Sequence, residues 1–156
     1  MGVAGSGKTT VATLCAKLTG AVFHEGDDFH PPENIAKMRR GIPLDDADRS
    51  EWLEKLRKII ALSLAGNRLT VVTCSALKAK YRKKLSGGDP RVKFVHLTGP
   101  PALIEKRLKN RAQHFMPPSL LQSQLADLEP PSDALVFSCE MPPQEIAEEL
   151  VRRVSG

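Results

Sequence analysis

The chain has 156 residues, of which 23 are Lys or Arg and 18 are Asp or Glu, giving a formal net charge of +5. This length is typical of one domain, so we expect a single domain over 1–156 that needs no metal or disulfide support. Three cysteines without a CxxC pair argue against a disulfide framework or a zinc site. Only 4% of residues are aromatic and no run is long enough to cross a bilayer, so we expect a cytoplasmic protein without nucleic-acid or membrane partners.

The first nine residues carry the pattern Gly, four residues, Gly-Lys-Thr, which is typical of a phosphate-binding loop. Glycines let successive backbone N–H groups turn toward one anion, and the helix that begins here directs its positive end at the same charge. Lys8 can then reach the β and γ phosphates, while the Thr9 hydroxyl can ligate Mg²⁺. The alternative is a Gly/Ser turn that only caps a helix. The loop interpretation predicts that nucleotide phosphates are bound by Gly2, Ala4, Gly5, Ser6, Gly7, Lys8, Thr9 and Thr10.

Strands and helices are predicted to alternate along the rest of the chain. Strands are expected at 21–24, 69–74, 92–97 and 135–139, and the second of these reads as a strand buried on both faces. A polar helix is expected over 33–40, followed by a long helix with Asp46 or Asp48 as its N-cap and Gly66 as its stop. Further helices follow residues 78 and 100, and one closes the chain. This alternation predicts a parallel α/β sheet with helices on both faces.

Two segments depart from the alternation. The region 112–131 contains several prolines and an amphipathic piece, so it suits a mobile helical lid better than a sheet element. At the other end, only Met1 precedes the first glycine of the loop, whereas such a loop normally leaves the end of a buried strand. We therefore expect a truncated first strand with apolar residues missing upstream of Met1. The alternative is a short first strand covered by a partner or a neighbouring helix.

An acidic cluster at 25–28 follows the predicted strand at 21–24. A phosphate loop alone fits an NTPase, a switch protein or a kinase, whereas phosphoryl transfer to an alcohol also needs a carboxylate that takes the hydroxyl proton. Asp27 is the candidate for that carboxylate. The alternative is that Asp27 and Asp28 are solvated loop residues or helix caps.

Taken together, the motifs resemble those of gluconate kinase (gluconokinase), a sugar-acid kinase similar in fold to shikimate and adenylate kinases. The resemblance covers nearly the whole chain and rests on segments 1–9, 26–31, 34–38, 41–49, 74–78 and 114–117, with Trp52, Tyr81, Arg82, Ser123, Gln124 and Glu129. It implies ATP-dependent phosphorylation of D-gluconate at its 6-hydroxyl, giving 6-phosphogluconate. It also implies a five-stranded parallel sheet of order 2-3-1-4-5, and homodimers. Some relatives carry Asp where this chain has Glu25, so a carboxylate is kept near the expected Mg²⁺.

Gluconate carries a carboxylate and several hydroxyls, so its subsite should offer cations and hydrogen-bonding groups. Arg49, Lys78 and Arg82 are the candidate cations, with ordinary surface arginines and lysines as the alternative. His30 either contacts substrate or fixes the turn before the next proline. The resemblance adds His114 to the acceptor side. Beside the lid, Arg111 is expected to stabilise the transferring phosphoryl group and contact ATP, a role that Arg107 can share.

Two other functions stay open on the residues alone. One is a nucleotide-binding regulatory or assembly protein that keeps the loop but transfers nothing. The other is a kinase of the same architecture acting on shikimate or on a nucleoside monophosphate. An ATPase assay with and without gluconate separates a gluconate kinase from the first of these, and a coupled ADP-release screen over sugar acids tests which acid is the acceptor.

Overall fold

A computed structural model of the chain describes residues 1–110 and 117–155. Its helices are α1 (Lys8–Thr19), α2 (Pro32–Arg39), α3 (Asp46–Ala65), α4 (Ala79–Ser86), α5 (Pro101–Lys109), α6 (Leu121–Asp127) and α7 (Pro143–Ser155). Its strands are β1 (Val22–His24), β2 (Thr70–Val72), β3 (Val95–Thr98) and β4 (Leu135–Ser138). Short 3₁₀ turns lie at Gly26–Phe29 and Pro118–Leu120. The predicted alternation of strands and helices is confirmed.

The described strands form two parallel pairs. Strand β1 pairs with β2, with Val22 opposite Thr70, and β3 pairs with β4, with Val95 opposite Leu135. The backbone of residues 1 and 2 contacts both sides: Leu97 N–H donates to the Met1 carbonyl at 3.0 Å, and Gly2 N–H donates to the Ser75 carbonyl at 3.1 Å. These two residues therefore connect β3 to the segment that follows β2.

Three of the four apolar clusters among the described residues join the strands and the phosphate loop to the helices. One joins α1 and α7 to β3 and β4, and a second joins α3 and α4 to the end of β2. The third packs the phosphate loop against α5 and α6, through Val3, Ala4, Ile104, Leu108 and Leu121. The loop thus has apolar support from two helices that lie far away in sequence.

The start of α3 and the burial of β2 differ from the sequence prediction. The N-cap of α3 is Asp45, not Asp46 or Asp48: its carboxylate accepts the Asp48 N–H at 2.8 Å, and Asp48 Oδ2 accepts the Asp45 N–H at 2.9 Å. This reciprocal pair is a capping box. In addition, β2 is half-buried instead of buried on both faces, and Leu69 just before it is 60% exposed.

None of the described helices has the length and apolar character that crossing a bilayer requires.

Candidate active site

The phosphate loop has the backbone that its glycines were expected to permit. Gly5 and Gly7 have φ values of +81° and +93°, in the left-handed region that side chains disfavour. A Cβ atom at Gly5 would lie 2.8 Å from Leu108 Cγ, so this position also lacks room for a side chain. Helix α1 begins at Lys8, directly after Gly7. The positive end of that helix therefore lies at the loop, as an anion site requires.

A cavity gathers most of the predicted site residues at this loop. Its lining includes Ala4, Gly5, Gly7, Lys8, Thr9, Glu25, Asp27, His30 and Arg49. Lys8 Nζ donates to the Val3 carbonyl at 2.9 Å, which folds the side chain back over the loop. The cavity thus combines cations, carboxylates and the loop backbone, which is the set that phosphoryl transfer needs.

Thr9 and Glu25 meet at one edge of the cavity. Thr9 Oγ1 donates to Glu25 Oε2 at 2.6 Å, and the other oxygen of that carboxylate accepts a hydrogen bond from the Thr73 hydroxyl. Hydroxyl and carboxylate oxygens are the donors that Mg²⁺ prefers, and Mg²⁺ usually takes one or two protein oxygens plus phosphates and water. Within the described ranges no group of three or more His, Cys, Asp and Glu residues could hold a metal. The two residues fit a Mg²⁺ ion, whose remaining ligands would be nucleotide phosphates and water.

Asp27 lies in the 3₁₀ turn Gly26–Phe29, which is fastened from two directions. The Gly26 N–H donates to Thr73 Oγ1 at 2.9 Å, and Trp52 Nε1 donates to the Gly26 carbonyl at 2.7 Å. A Cβ atom at Gly26 would come within 1.9 Å of the Thr73 carbonyl oxygen, so only glycine fits. Trp52 is 1% exposed and belongs to α3. The turn is therefore held at the cavity by Thr73, directly after β2, and by α3, which restricts where the Asp27 carboxylate can be.

His30 follows this turn and is buried beside the cavity. Its ring stacks on Trp52 with 4.2 Å between ring centroids and an interplanar angle of 14°. Burial, helped by the positive charge of Arg49, lowers the pKa of His30 to about 4. Its Nδ1 atom is buried without a hydrogen-bond partner among the described residues. His30 is thus a neutral imidazole at physiological pH and contributes hydrogen-bonding capacity without charge.

Arg49 is a buried cation at the cavity wall, one turn into α3. Its Nη1 donates to Tyr81 Oη and to Asp127 Oδ2, each at 3.1 Å. Lys78 Nζ lies 3.5 Å from the other oxygen of Asp127 and 3.3 Å from Asp46 Oδ1. Asp127 therefore shares its charge between the two cations and fixes the Arg49 guanidinium at the wall.

The remaining predicted residues that the structure describes lie outside the cavity lining. Lys78 is linked to Arg49 through their shared partner Asp127. Arg82 is buried and donates through Nη1 to the Ala76 and Leu77 carbonyls at 3.0 and 2.9 Å, which satisfies the loop after β2. Arg107 Nη2 donates to the Cys139 carbonyl at 2.8 Å. Gly2 and Ser6 are buried within the loop, and Thr10 is exposed on α1. Arg111 and His114 lie outside the described residues.

Several residues that line the cavity were given no functional role in the sequence prediction. They are Met38, Pro43, Leu44, Trp52, Ser75, Leu120, Ser123 and Gln124. Gln124 carried a signal that was missed: a glutamine stands three residues after Leu121 on the face of α6 that packs on the core. A polar side chain on a buried face needs a partner, so it marks either a structural or a functional contact.

Comparisons with known proteins agree with this geometry. A protein-family model described as an AAA domain matches residues 1–131. The gluconokinase of Gluconobacter oxydans (strain 621H) is 46% identical over 155 residues, covering 97% of this chain and 87% of that protein.

Two solved structures are also similar. An unliganded sugar kinase from Janibacter sp. HTCC2649 has a TM-score of 0.92 at 47% identity, covering 99% of this chain and 91% of the other. A gluconokinase from Sinorhizobium meliloti 1021 has a TM-score of 0.86 at 43% identity, covering 99% of this chain and 89% of the other. On this evidence, the chain has the P-loop kinase fold and belongs to the gluconokinase family.

Proposed function

We propose that this protein is a phosphotransferase that transfers the γ-phosphoryl group of ATP to the 6-hydroxyl of D-gluconate, giving 6-phosphogluconate and ADP. The observation that carries the proposal is the cavity, in which a phosphate loop with Lys8 faces a carboxylate, Asp27, held on a fastened turn. The choice of gluconate as the acceptor follows from relatives named gluconokinases. Neither a shikimate or nucleoside monophosphate kinase nor a non-catalytic nucleotide-binding protein is favoured by these relatives.

The loop amides, Lys8 and Asp27 each have a part in the proposed transfer. The loop amides and Lys8 hold the β and γ phosphates and offset the charge that develops on the phosphoryl oxygens. Asp27 accepts the proton of the 6-hydroxyl as the hydroxyl oxygen bonds to the γ phosphorus. The bond from that phosphorus to the bridging oxygen breaks, and ADP leaves with the electron pair. Arg111, with support from Arg107, is proposed to stabilise the transferring group from the lid.

Mg²⁺ is proposed to bind at Thr9 and Glu25. When bound with ATP, this ion neutralises phosphate charge. The hydrogen bond from Thr9 to Glu25 keeps both oxygens at the cavity edge, next to the start of α1. Glu25 also accepts a hydrogen bond from the hydroxyl of Thr73, directly after β2, and this contact orients its carboxylate.

On the acceptor side, Arg49 is proposed to bind the gluconate carboxylate, because it is the described cation besides Lys8 that lines the cavity. Lys78 is proposed to support Arg49 through their shared partner Asp127. His30, as a neutral imidazole, suits a sugar hydroxyl better than the carboxylate. His114 is proposed to close the acceptor side from the lid, and Arg82 to shape the loop after β2.

We also propose the strand order 2-3-1-4-5, in which residues 1–3 are strand 1 and the observed strands β1, β2, β3 and β4 are strands 2, 3, 4 and 5. The observed pairs β1–β2 and β3–β4 are the outer parts of that order, and the hydrogen bonds of Met1 and Gly2 support a central place for residues 1–3. A homodimer in the cytoplasm, with no nucleic-acid or membrane partner, completes the proposal.

A coupled ADP-release assay tests the function. Purified protein is supplied with ATP and Mg²⁺ and with gluconate, other sugar acids, shikimate or nucleoside monophosphates. ADP release that depends on gluconate, and disappears in Lys8→Met but not in Lys17→Met on the exposed side of the same helix, is expected. Faster release with shikimate or a nucleoside monophosphate, or release that no acceptor increases, contradicts it.

A further inference from the structure

Gln124 links α6 to the phosphate loop through a buried hydrogen bond. Its Oε1 atom accepts the Ala4 N–H at 2.7 Å, although the two residues are 120 positions apart. Both residues are 8% exposed, and both line the cavity. The contact lies between the loop that binds phosphate and the segment proposed as the lid.

This hydrogen bond fixes a peptide at the centre of the loop. Ala4 precedes Gly5, whose left-handed conformation turns the chain toward the following amides. A buried N–H without an acceptor costs about 1 to 3 kcal/mol. The loop therefore favours the conformation in which the Ala4 N–H donates to Gln124. Leu121, one turn earlier on α6, packs in the same cluster as Val3 and Ala4. The helix therefore supports the loop through both an apolar contact and a polar one.

We propose that Gln124 is a positioning residue for the nucleotide: by holding the Ala4 amide, it keeps the phosphate loop in the conformation that receives the β and γ phosphates. Gln124 acts through the loop and does not itself take part in the transfer. The proposal rests on the nucleotide half of the proposed function and is independent of which sugar acid accepts the phosphoryl group.

The substitution Gln124→Met tests this role, because Met has a similar length and no hydrogen-bonding oxygen. The matched control is Gln122→Met, which makes the same change on the exposed side of the same helix. Calorimetry measures the Kd for a non-hydrolysable ATP analogue, and the ADP-release assay measures KM for ATP and for gluconate. We expect Gln124→Met to raise both the Kd and the KM for ATP by about 5- to 100-fold, the equivalent of one unsatisfied buried donor. The KM for gluconate should stay within about twofold, and Gln122→Met should match the wild type.

A purely structural role for Gln124 predicts a different result: a lower melting temperature with an unchanged Kd for the analogue in the folded protein. That result, or equal shifts in the two KM values, overturns the proposal. If Gln124→Met does not fold, Gln124→Asn replaces it, since its amide is one methylene shorter and cannot span the same contact; the same shift in Kd is expected. Wild-type protein that binds no nucleotide would instead refute the proposed function, so the two failures are distinguishable.

Discussion

Asp27 and Asp28 are adjacent carboxylates in different surroundings. Asp27 lines the cavity, whereas Asp28, in the same 3₁₀ turn, is exposed and is not part of the lining. We predict that Asp27→Asn lowers kcat by about 10²- to 10⁴-fold, the usual effect of losing a general base, with little change in ATP affinity. Asp28→Asn is the matched control and should keep wild-type turnover. Equal kcat values for the two variants would return Asp27 to the alternative of a solvated loop residue.

His30 should make stability depend on pH. Its folded-state pKa of about 4 lies below the ordinary value of 6.5, so between these values the unfolded chain binds a proton that the folded protein does not. The contribution to stability is therefore complete above pH 6.5 and falls as the pH drops toward 4, by about 3 kcal/mol in all.

Denaturant unfolding at several pH values measures this dependence. The buried His96 also has a lowered pKa, again mainly through burial, and acts in the same direction. Comparing wild-type protein with His30→Gln isolates the His30 part. We expect the variant to lose less stability than the wild type between pH 6.5 and 4.5; parallel curves would show that folding does not lower the pKa of His30.

At the level of single residues, the sequence predicted those residues of the candidate site that lie close together along the chain. The loop glycines, Lys8 and Thr9 follow a fixed spacing, so their relative positions are set by a few backbone angles. Trp52 and Gln124 were not assigned a role because each acts over a long distance in sequence, on Gly26 and on Ala4. Such a contact depends on how helices pack, which neither spacing nor composition encodes in a readable way.

Among the secondary-structure elements, α3 depends on its capping box. Asp45 and Asp48 satisfy each other's N–H groups at the start of the helix that carries Arg49 and Trp52. We predict that Asp45→Ala lowers the free energy of unfolding by about 1 kcal/mol, as measured by denaturant titration. Glu51→Ala, an exposed change within the same helix that removes only a surface pair with Lys55, should cost less than about 0.5 kcal/mol. A larger loss for Glu51→Ala than for Asp45→Ala contradicts the capping argument.

The sequence predicted the type and order of the elements better than their ends. The strand predicted at 69–74 is observed at Thr70–Val72. The next residue, Thr73, follows the strand, and its hydroxyl accepts a hydrogen bond from the Gly26 N–H and donates one to Glu25. The N-cap of α3 moved from the predicted Asp46 or Asp48 to Asp45 because three aspartates in four positions can all begin a helix. Periodicity locates a helix or strand, whereas its ends depend on hydrogen bonds that several neighbouring residues can make.

In the molecule as a whole, the cavity lies where the phosphate loop, the turn after β1 and the α6 region meet. Leu120 and Leu121 are buried. Near the end of the segment, the Glu129 N–H donates to the Leu77 carbonyl at 2.9 Å, and the Glu129 carboxylate accepts a hydrogen bond from the Ala79 N–H at 2.6 Å. The later part of the proposed lid is thus attached to the core at several points. Any closing motion of 112–131 therefore starts from a segment whose later part is already attached to the core.

We predict that this segment closes over bound ATP and gluconate, since water left beside the γ-phosphoryl group would compete with the sugar hydroxyl. Hydrogen exchange followed by mass spectrometry should show slower exchange in peptides covering 113–131 when a non-hydrolysable ATP analogue and gluconate are present together. Peptides from the exposed turn at 86–91 serve as the control and should not change. Because Gln124 and Asp127 connect α6 to the loop and to Arg49, each ligand alone should give a smaller effect than the pair. Identical exchange in 113–131 with and without both ligands would show that the segment does not close, and that Arg111 and His114 need another way to reach the site.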